Sequence, residues 1–176
     1  MGTRELLTEA AKSLGLEAKL KLVEPHRYQG ILERIIANRT SVDKRATSAL
    51  WWWESLREPV AYVQPTDPLA MLRDLVPASE PVWFVAEANS SKKTGNFWLY
   101  ESTIEPICAV LQELPPFEYY IVAKKCEWLL CENHHGQLIA SGESMAAKLA
   151  QAPNPSIERT PSSVLRTLPA AAHVKR

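Results

Sequence analysis

At 176 residues, of which 46% are hydrophobic and 23% charged, the chain has the composition of an ordinary globular protein and a length that suits one domain. The 20 basic and 20 acidic residues balance overall, but residues 1–152 hold 16 basic and 19 acidic residues, which argues against nucleic acid as the main partner and leaves a basic protein partner open. No stretch approaches about 18 apolar residues and the N-terminus lacks an apolar signal segment, so we expect no membrane partner and a cytoplasmic location.

Helical patterns fill the N-terminal part. Apolar residues at helical spacing predict a first helix from Thr3, its possible N-cap, to Gly15. Residues 19–23 fit either a short strand or more helix. Pro25 opens a second helix, whose inward positions are Tyr28, Ile31, Leu32, Ile35 and Ile36.

A third helix is predicted from about Ser41 to Leu56, ended by Pro59. It contains three successive tryptophans at 51–53, which span about 200° of a helix and therefore cannot all face one core. Asp67 and Pro68 form the N-cap and first residue of a short fourth helix that Pro77 closes.

Strand patterns dominate the second half. Residues 82–88 and 96–101 are joined by a polar loop that contains Lys92 and Lys93. A helix over 103–114 follows, and then a three-strand meander over 117–124, 126–132 and 137–141, with a turn at Lys124-Lys125 and another that uses Gly136 at positive φ. A last helix covers Glu143 to Gln151.

This order predicts an α+β fold with a mostly antiparallel five-stranded sheet (82–88, 96–101, 117–124, 126–132, 137–141), covered by the N-terminal helices and the 103–114 helix. The crossover through that helix allows one parallel pair. We expect one globular domain over residues 1–152 and a tail over 153–176.

The turn that ends the second meander strand carries the polar residues that favour chemistry. Glu132, His134 and His135 are the candidate catalytic residues, as acid/base groups, although adjacent polar residues in a turn are also typical of plain solvation. Glu87 and Glu101 are further carboxylates that could enter a cleft.

Thiolate and imidazole suit zinc, but Cys126 and Cys131 match no structural zinc spacing, so we expect no metal. With Cys108 they are predicted to be reduced core thiols. No glycine-rich phosphate loop is present, and we expect no cofactor. The two lysine pairs are more typical of hairpin turns than of a nucleic-acid site.

Six tryptophans are many for this length. Most should lie in the core, but at least one of the triplet should stay exposed, and exposed tryptophan favours interfaces and ligand pockets. The candidate ligand or interface residues are Trp51, Trp52, Trp83, Trp98 and Trp128, and a homo-oligomer, most simply a dimer, is predicted.

The end of the chain, with Asn154-Pro-Ser-Ile-Glu-Arg-Thr160 and Ala-Ala-Ala-His173-Val-Lys-Arg176, resembles the read-through translation of the recombination site that closes integron gene cassettes. That resemblance implies a mobile bacterial cassette protein of unknown function. Residues 119–142 also resemble a segment of small uncharacterised bacterial proteins, some of them suspected toxin-immunity proteins.

Two hypotheses follow. The first is a non-enzymatic binding protein for a small molecule or a protein partner, with toxin immunity as its concrete form. The alternative is a small enzyme that uses acid/base residues of the 132–135 turn.

Overall fold

The computed structural model describes residues 2–42, 51–88 and 97–152. The helices are α1 (Thr3–Ser13), α2 (Pro25–Arg39), α3 (Pro68–Leu75), α4 (Ile104–Gln112) and α5 (Glu143–Gln151), with a 3-10 helix at Trp52–Ser55. The strands are β1 (Lys21–Leu22), β2 (Val60–Val63), β3 (Val82–Glu87), β4 (Phe97–Ser102), β5 (Tyr119–Ala123), β6 (Leu129–Glu132) and β7 (Leu138–Ser141).

The strands form one sheet in the order β1-β4-β3-β5-β6-β7-β2, and every pairing is antiparallel. The α+β class and the antiparallel sheet are confirmed, but over the residues that the structure describes the sheet has seven strands, where the sequence predicts five. The two additional strands, β1 and β2, lie at its edges. The parallel pair is wrong, because β3 lies between β4 and β5 and pairs with both.

Apolar side chains cover both faces of the sheet. The first face, which includes Phe84, Tyr119 and Ile121, packs under α1, α3, α4 and α5. The second face, which includes Trp83, Tyr120 and Val122, packs under α2 and Trp52. Adjacent residues on a strand point to opposite faces, so strands that are apolar throughout, such as β3 and β5, need cover on both sides.

Local signals place most helices correctly. The Asp67 carboxylate accepts a hydrogen bond from the Ala70 amide (2.9 Å), so the predicted N-cap of α3 is confirmed. In α2 the predicted inward residues Ile31, Leu32, Ile35 and Ile36 are buried. The N-cap of α1 is Gly2, where the sequence predicts Thr3.

The predicted helix over 41–56 is wrong at its described ends, and residues 43–50 lie outside the described residues. Thr40 and Leu56 form an isolated antiparallel bridge, so the chain returns on itself between them. Trp51 has a left-handed backbone (φ 59°, ψ 55°) and is the N-cap that precedes the short 3-10 helix. The predicted 89–95 loop and the 153–176 tail also lie outside the described residues.

Two meander strands begin later than predicted. β5 starts at Tyr119 where the sequence predicts 117, and β6 at Leu129 where it predicts 126, because Cys126 belongs to the preceding turn with φ 60°. Within the described parts of the chain, no helix is long and apolar enough to cross a bilayer.

Candidate functional site

The turn between β6 and β7 is held by the buried Asn133. Its side-chain oxygen accepts hydrogen bonds from the amides of His135 and Gln137, both at 3.0 Å. Gly136 has φ 69°, which confirms the predicted positive φ, and Gln64 donates to the carbonyls of His135 and Gly136. The turn therefore presents both imidazoles from a fixed backbone.

A buried carboxylate lies behind this turn. Glu118 precedes β5, and its side chain is only 1% exposed. The Trp53 indole N–H donates to its Oε2 (2.9 Å), and the Tyr120 hydroxyl donates to its Oε1 (2.5 Å). Burial, followed by the charges of Cys131 and Glu118, raises the pKa of Tyr120, so this hydroxyl remains a donor.

His134 is the exposed partner of that carboxylate. Its Nδ1 lies 3.4 Å from Glu118 Oε2, and its side chain is 48% exposed. An imidazole backed by a buried carboxylate has a preferred orientation and can exchange a proton or a hydrogen bond with a molecule in front of it.

A second carboxyl group lies close to Glu118. Glu87, at the end of β3, is half-buried, and burial raises the pKa of its carboxyl. The charge of Glu118 raises this pKa further and His134 lowers it, so the three groups interact electrostatically.

Two tryptophans flank the imidazoles. The Trp53 ring is 5.8 Å from that of His134 and 5.9 Å from that of His135, in edge-on contacts, and the Trp51 ring is 6.1 Å from that of His134. We call Trp51, Trp53, His134 and His135 the Trp–His face. Because Trp51 is 46% exposed, this face presents aromatic surface to solvent.

The backbone of Trp51 is strained. A left-handed conformation brings Cβ close to the following carbonyl oxygen, which costs about 1–2 kcal/mol for a residue other than glycine. Strain of this kind persists where the surroundings hold the residue in place, and it concentrates at functional sites.

The predicted catalytic residues separate into two places. His134 and His135 lie on the Trp–His face. Glu132 is paired in register with Tyr119, whose side chain is on the first face of the sheet, and it accepts the Tyr119 hydroxyl there. The carboxylate beside His134 is Glu118, which is not among the candidates from the sequence.

Most of the predicted ligand tryptophans belong to the core. Trp52 is fully buried between Phe97 and Tyr120, and Trp83 and Trp128 are 4% and 5% exposed. Trp98 is half-buried on the first face with the Arg4 guanidinium 5.0 Å from its ring. Of the five predicted positions, only Trp51 is largely exposed.

The metal and nucleic-acid interpretations concern the cysteines and the lysine pairs. Among the described residues, no group of three or more potential ligands could hold a metal ion. All three cysteines are buried, and burial raises the pKa of each thiol, to about 11 for Cys108. Lys124 lies over the Trp83 ring and forms an ion pair with Glu101 at 3.0 Å. The predicted cleft carboxylate Glu101 is therefore paired with a lysine. Lys92 and Lys93 lie outside the described residues.

Residues 2–153 match a protein family described as a family of unknown function (DUF6756). The chain belongs to this family. No curated protein and no solved structure matches it.

For this member of DUF6756, a function can therefore be argued only from the geometry of the site. Glu118 and Trp53 were missed by the sequence prediction. Strand alternation places Glu118 on the same side as Tyr120, which is the one signal that could have revealed the carboxylate. The position of Trp53 depends on the 3-10 helix, which no local pattern indicates.

Proposed function

We propose that the chain is a non-enzymatic binding protein and that the Trp–His face is its binding surface. The observation that carries the proposal is Trp51, an exposed aromatic residue held in a strained backbone conformation beside His134. A rigid, exposed aromatic side chain adds contact area at a low cost in conformational entropy, which is what a binding surface needs.

The chemistry behind the face favours a partner that carries positive charge. Glu118 bonds to Trp53 and lies against His134, Glu87 interacts electrostatically with both Glu118 and His134, and residues 1–152 hold three more acidic than basic residues. Tryptophan faces attract cations, by about 0.5–2 kcal/mol for each contact. The proposed partner is a small cation or a basic protein.

Immunity to a basic toxin is the concrete form of this function. It is supported by the resemblance of residues 119–142 to suspected immunity proteins, and that segment contains β5 to β7 and both histidines of the face. Origin in a mobile gene cassette and a cytoplasmic location remain proposals from the sequence.

A thermal-shift screen with small aromatic and cationic compounds tests the small-molecule form. We expect hits that raise the melting temperature of the native chain and of Tyr62→Ala, which removes an exposed aromatic residue on the edge strand β2. Compounds that bind the Trp–His face should lose their effect in Trp51→Ala. If every compound that stabilises the native chain stabilises Trp51→Ala as strongly, the Trp–His face is not the binding surface.

One observation favours a second candidate, a small enzyme with an acid/base group. His134 combines exposure with a buried carboxylate behind Nδ1, the arrangement that orients an imidazole for proton transfer. Turnover of chromogenic ester or phosphate substrates that is lost in His134→Ala would support this candidate. Equal rates for the two proteins would exclude His134 as the group responsible.

A further inference from the structure

Glu132 lies apart from the Trp–His face, in a pocket that the proposed function does not use. The pocket has a volume of about 140 Å³. Its walls come from the start of α3 (Leu69), the end of α4 and the segment after it (Leu111, Leu114, Phe117), and β5 and β6 (Tyr119, Glu132). The sheet and the helices on its first face thus meet around one carboxyl group.

Most of the lining residues are apolar. Pro68, Pro115 and Pro116 complete the lining, and Glu132 is the one ionisable acid among these residues. An apolar cavity of about 150 Å³ accommodates a molecule the size of benzene. The pocket therefore suits a ligand with a compact apolar body of roughly six to eight non-hydrogen atoms.

The Glu132 carboxyl group is partly buried and has few hydrogen-bond partners. Tyr119 donates a hydrogen bond to its Oε2, and within the described part of the chain no other side chain bonds to the carboxyl group. Burial raises the pKa of Glu132, against the lowering effect of the Tyr119 hydrogen bond. A carboxylate in apolar surroundings gains most from a donor that also carries positive charge.

We propose that this pocket binds a small primary ammonium ion, with its apolar body against Leu69, Leu114 and Phe117 and its ammonium group on Glu132. Tyr119 fixes one carboxylate oxygen, which leaves Oε1 for the ligand. The site is on the first face of the sheet, so it is separate from the Trp–His face and independent of the function proposed for that face.

Benzylamine and benzyl alcohol are the probes, since they share an apolar body and differ in the charge of the head group. In titrations followed by amide NMR, we expect benzylamine to bind with a dissociation constant of about 1 mM or tighter and the alcohol at least about tenfold more weakly. The resonances that shift should belong to residues of the pocket.

Three variants test the assignment. Glu132→Gln keeps the shape and should weaken benzylamine about tenfold or more while leaving the alcohol unchanged, whereas Leu114→Trp fills the pocket and should abolish both. Glu113→Gln removes an exposed carboxylate next to Leu114 in the sequence and should leave the binding of both probes unchanged.

The proposal is overturned if benzylamine binds no more tightly than benzyl alcohol, if Glu132→Gln binds it as well as the native chain, or if neither probe binds. If Glu132→Gln does not fold, the comparison of the two probes on the native chain and on Leu114→Trp still decides. Trp51→Ala should keep full benzylamine binding, so failure at this pocket and failure at the Trp–His face are distinguishable.

Discussion

Trp51 combines two properties that rarely occur together, a large exposed apolar side chain and a left-handed backbone. Neither benefits the stability of the fold, since glycine would adopt the same conformation without strain. A residue that costs stability and faces solvent is best explained by what it contacts outside the chain.

We predict that Trp51→Gly leaves the free energy of unfolding unchanged or raises it by about 1 kcal/mol, because relief of the backbone strain offsets the loss of contact with His134. Urea denaturation measures this. Trp52→Ala, the control at the fully buried neighbour, should lose about 3–5 kcal/mol. A large loss in Trp51→Gly would mean that Trp51 is an ordinary packing residue.

The pH dependence of stability tests the second carboxyl group of the site. The native pKa of Glu87 is raised by burial and by Glu118, so the folded chain binds the proton more tightly than the unfolded chain. The contribution of Glu87 to stability is therefore present at low pH and is lost as the pH rises through its native pKa.

In Glu87→Gln the side chain is uncharged at every pH, as the protonated carboxyl of Glu87 is. Relative to the native chain, we expect this variant to become progressively more stable as the pH rises above the usual pKa of glutamate, about 4.3, until the native Glu87 is fully ionised, measured as the difference in urea midpoint. Glu113→Gln, which removes an exposed carboxylate, is the control for the loss of a carboxyl group. A constant difference for Glu87→Gln would contradict the environment described for this carboxyl group.

At the scale of elements, the connection from β7 to α5 depends on one glycine. Gly142 has φ 103°, and a Cβ there would overlap the backbone oxygen of Glu127 and lie 2.7 Å from Arg39 Nη1. The Arg39 side chain donates to that same oxygen, so three segments meet closely at this point.

Gly142→Ala should therefore cost about 3 kcal/mol or more, through both the forbidden backbone conformation and the overlap. Gly30→Ala is the matched control, since a Cβ at this exposed position in α2 meets nothing within 4 Å. It should stabilise the chain by about 0.5–1 kcal/mol, because alanine favours helix interiors. Thermal unfolding of the two variants should shift in opposite directions.

Elements with a strong local signal could be predicted from the sequence. The Asp67-Pro68 start of α3, the apolar stripe of α2 and the two-faced apolar strands β3 and β5 each carry their own pattern. β2 was missed although its four residues, Val60–Val63, include two valines and a tyrosine, which favour strands. The run is short, and its place in the sheet depends on pairing with β7, which is almost 80 residues distant in sequence.

The helix predicted over 41–56 failed for the same reason. Its apolar spacing fits a helix, but the bridge between Thr40 and Leu56 and the left-handed Trp51 are set by tertiary contacts. For the same reason only part of the candidate site could be predicted from the sequence. The turn histidines follow from local sequence, whereas Glu118 and Trp53 reach His134 from segments 16 and 81 positions away in the chain.

At the scale of the whole molecule, the exposed Trp51 also bears on self-association, which the sequence predicts as a dimer. If the Trp–His face forms the interface, light scattering should give a dimer for the full chain and for a chain ending at Gln151, and a monomer for Trp51→Ala. A dimer lost only on removal of the tail would place the interface in residues 152–176. A monomer in all three would leave the face free for another partner.

The central functional proposal is that this protein binds its partner through the Trp–His face. The direct measurement is NMR of the six tryptophan indole N–H resonances, assigned by single Trp→Phe variants, during titration with the compounds that raise the melting temperature. We predict that the Trp51 and Trp53 resonances shift with saturable curves, while those of the buried Trp52, Trp83 and Trp128 stay in place. Shifts confined to the buried tryptophans or to Trp98, with Trp51 and Trp53 unchanged, would contradict it.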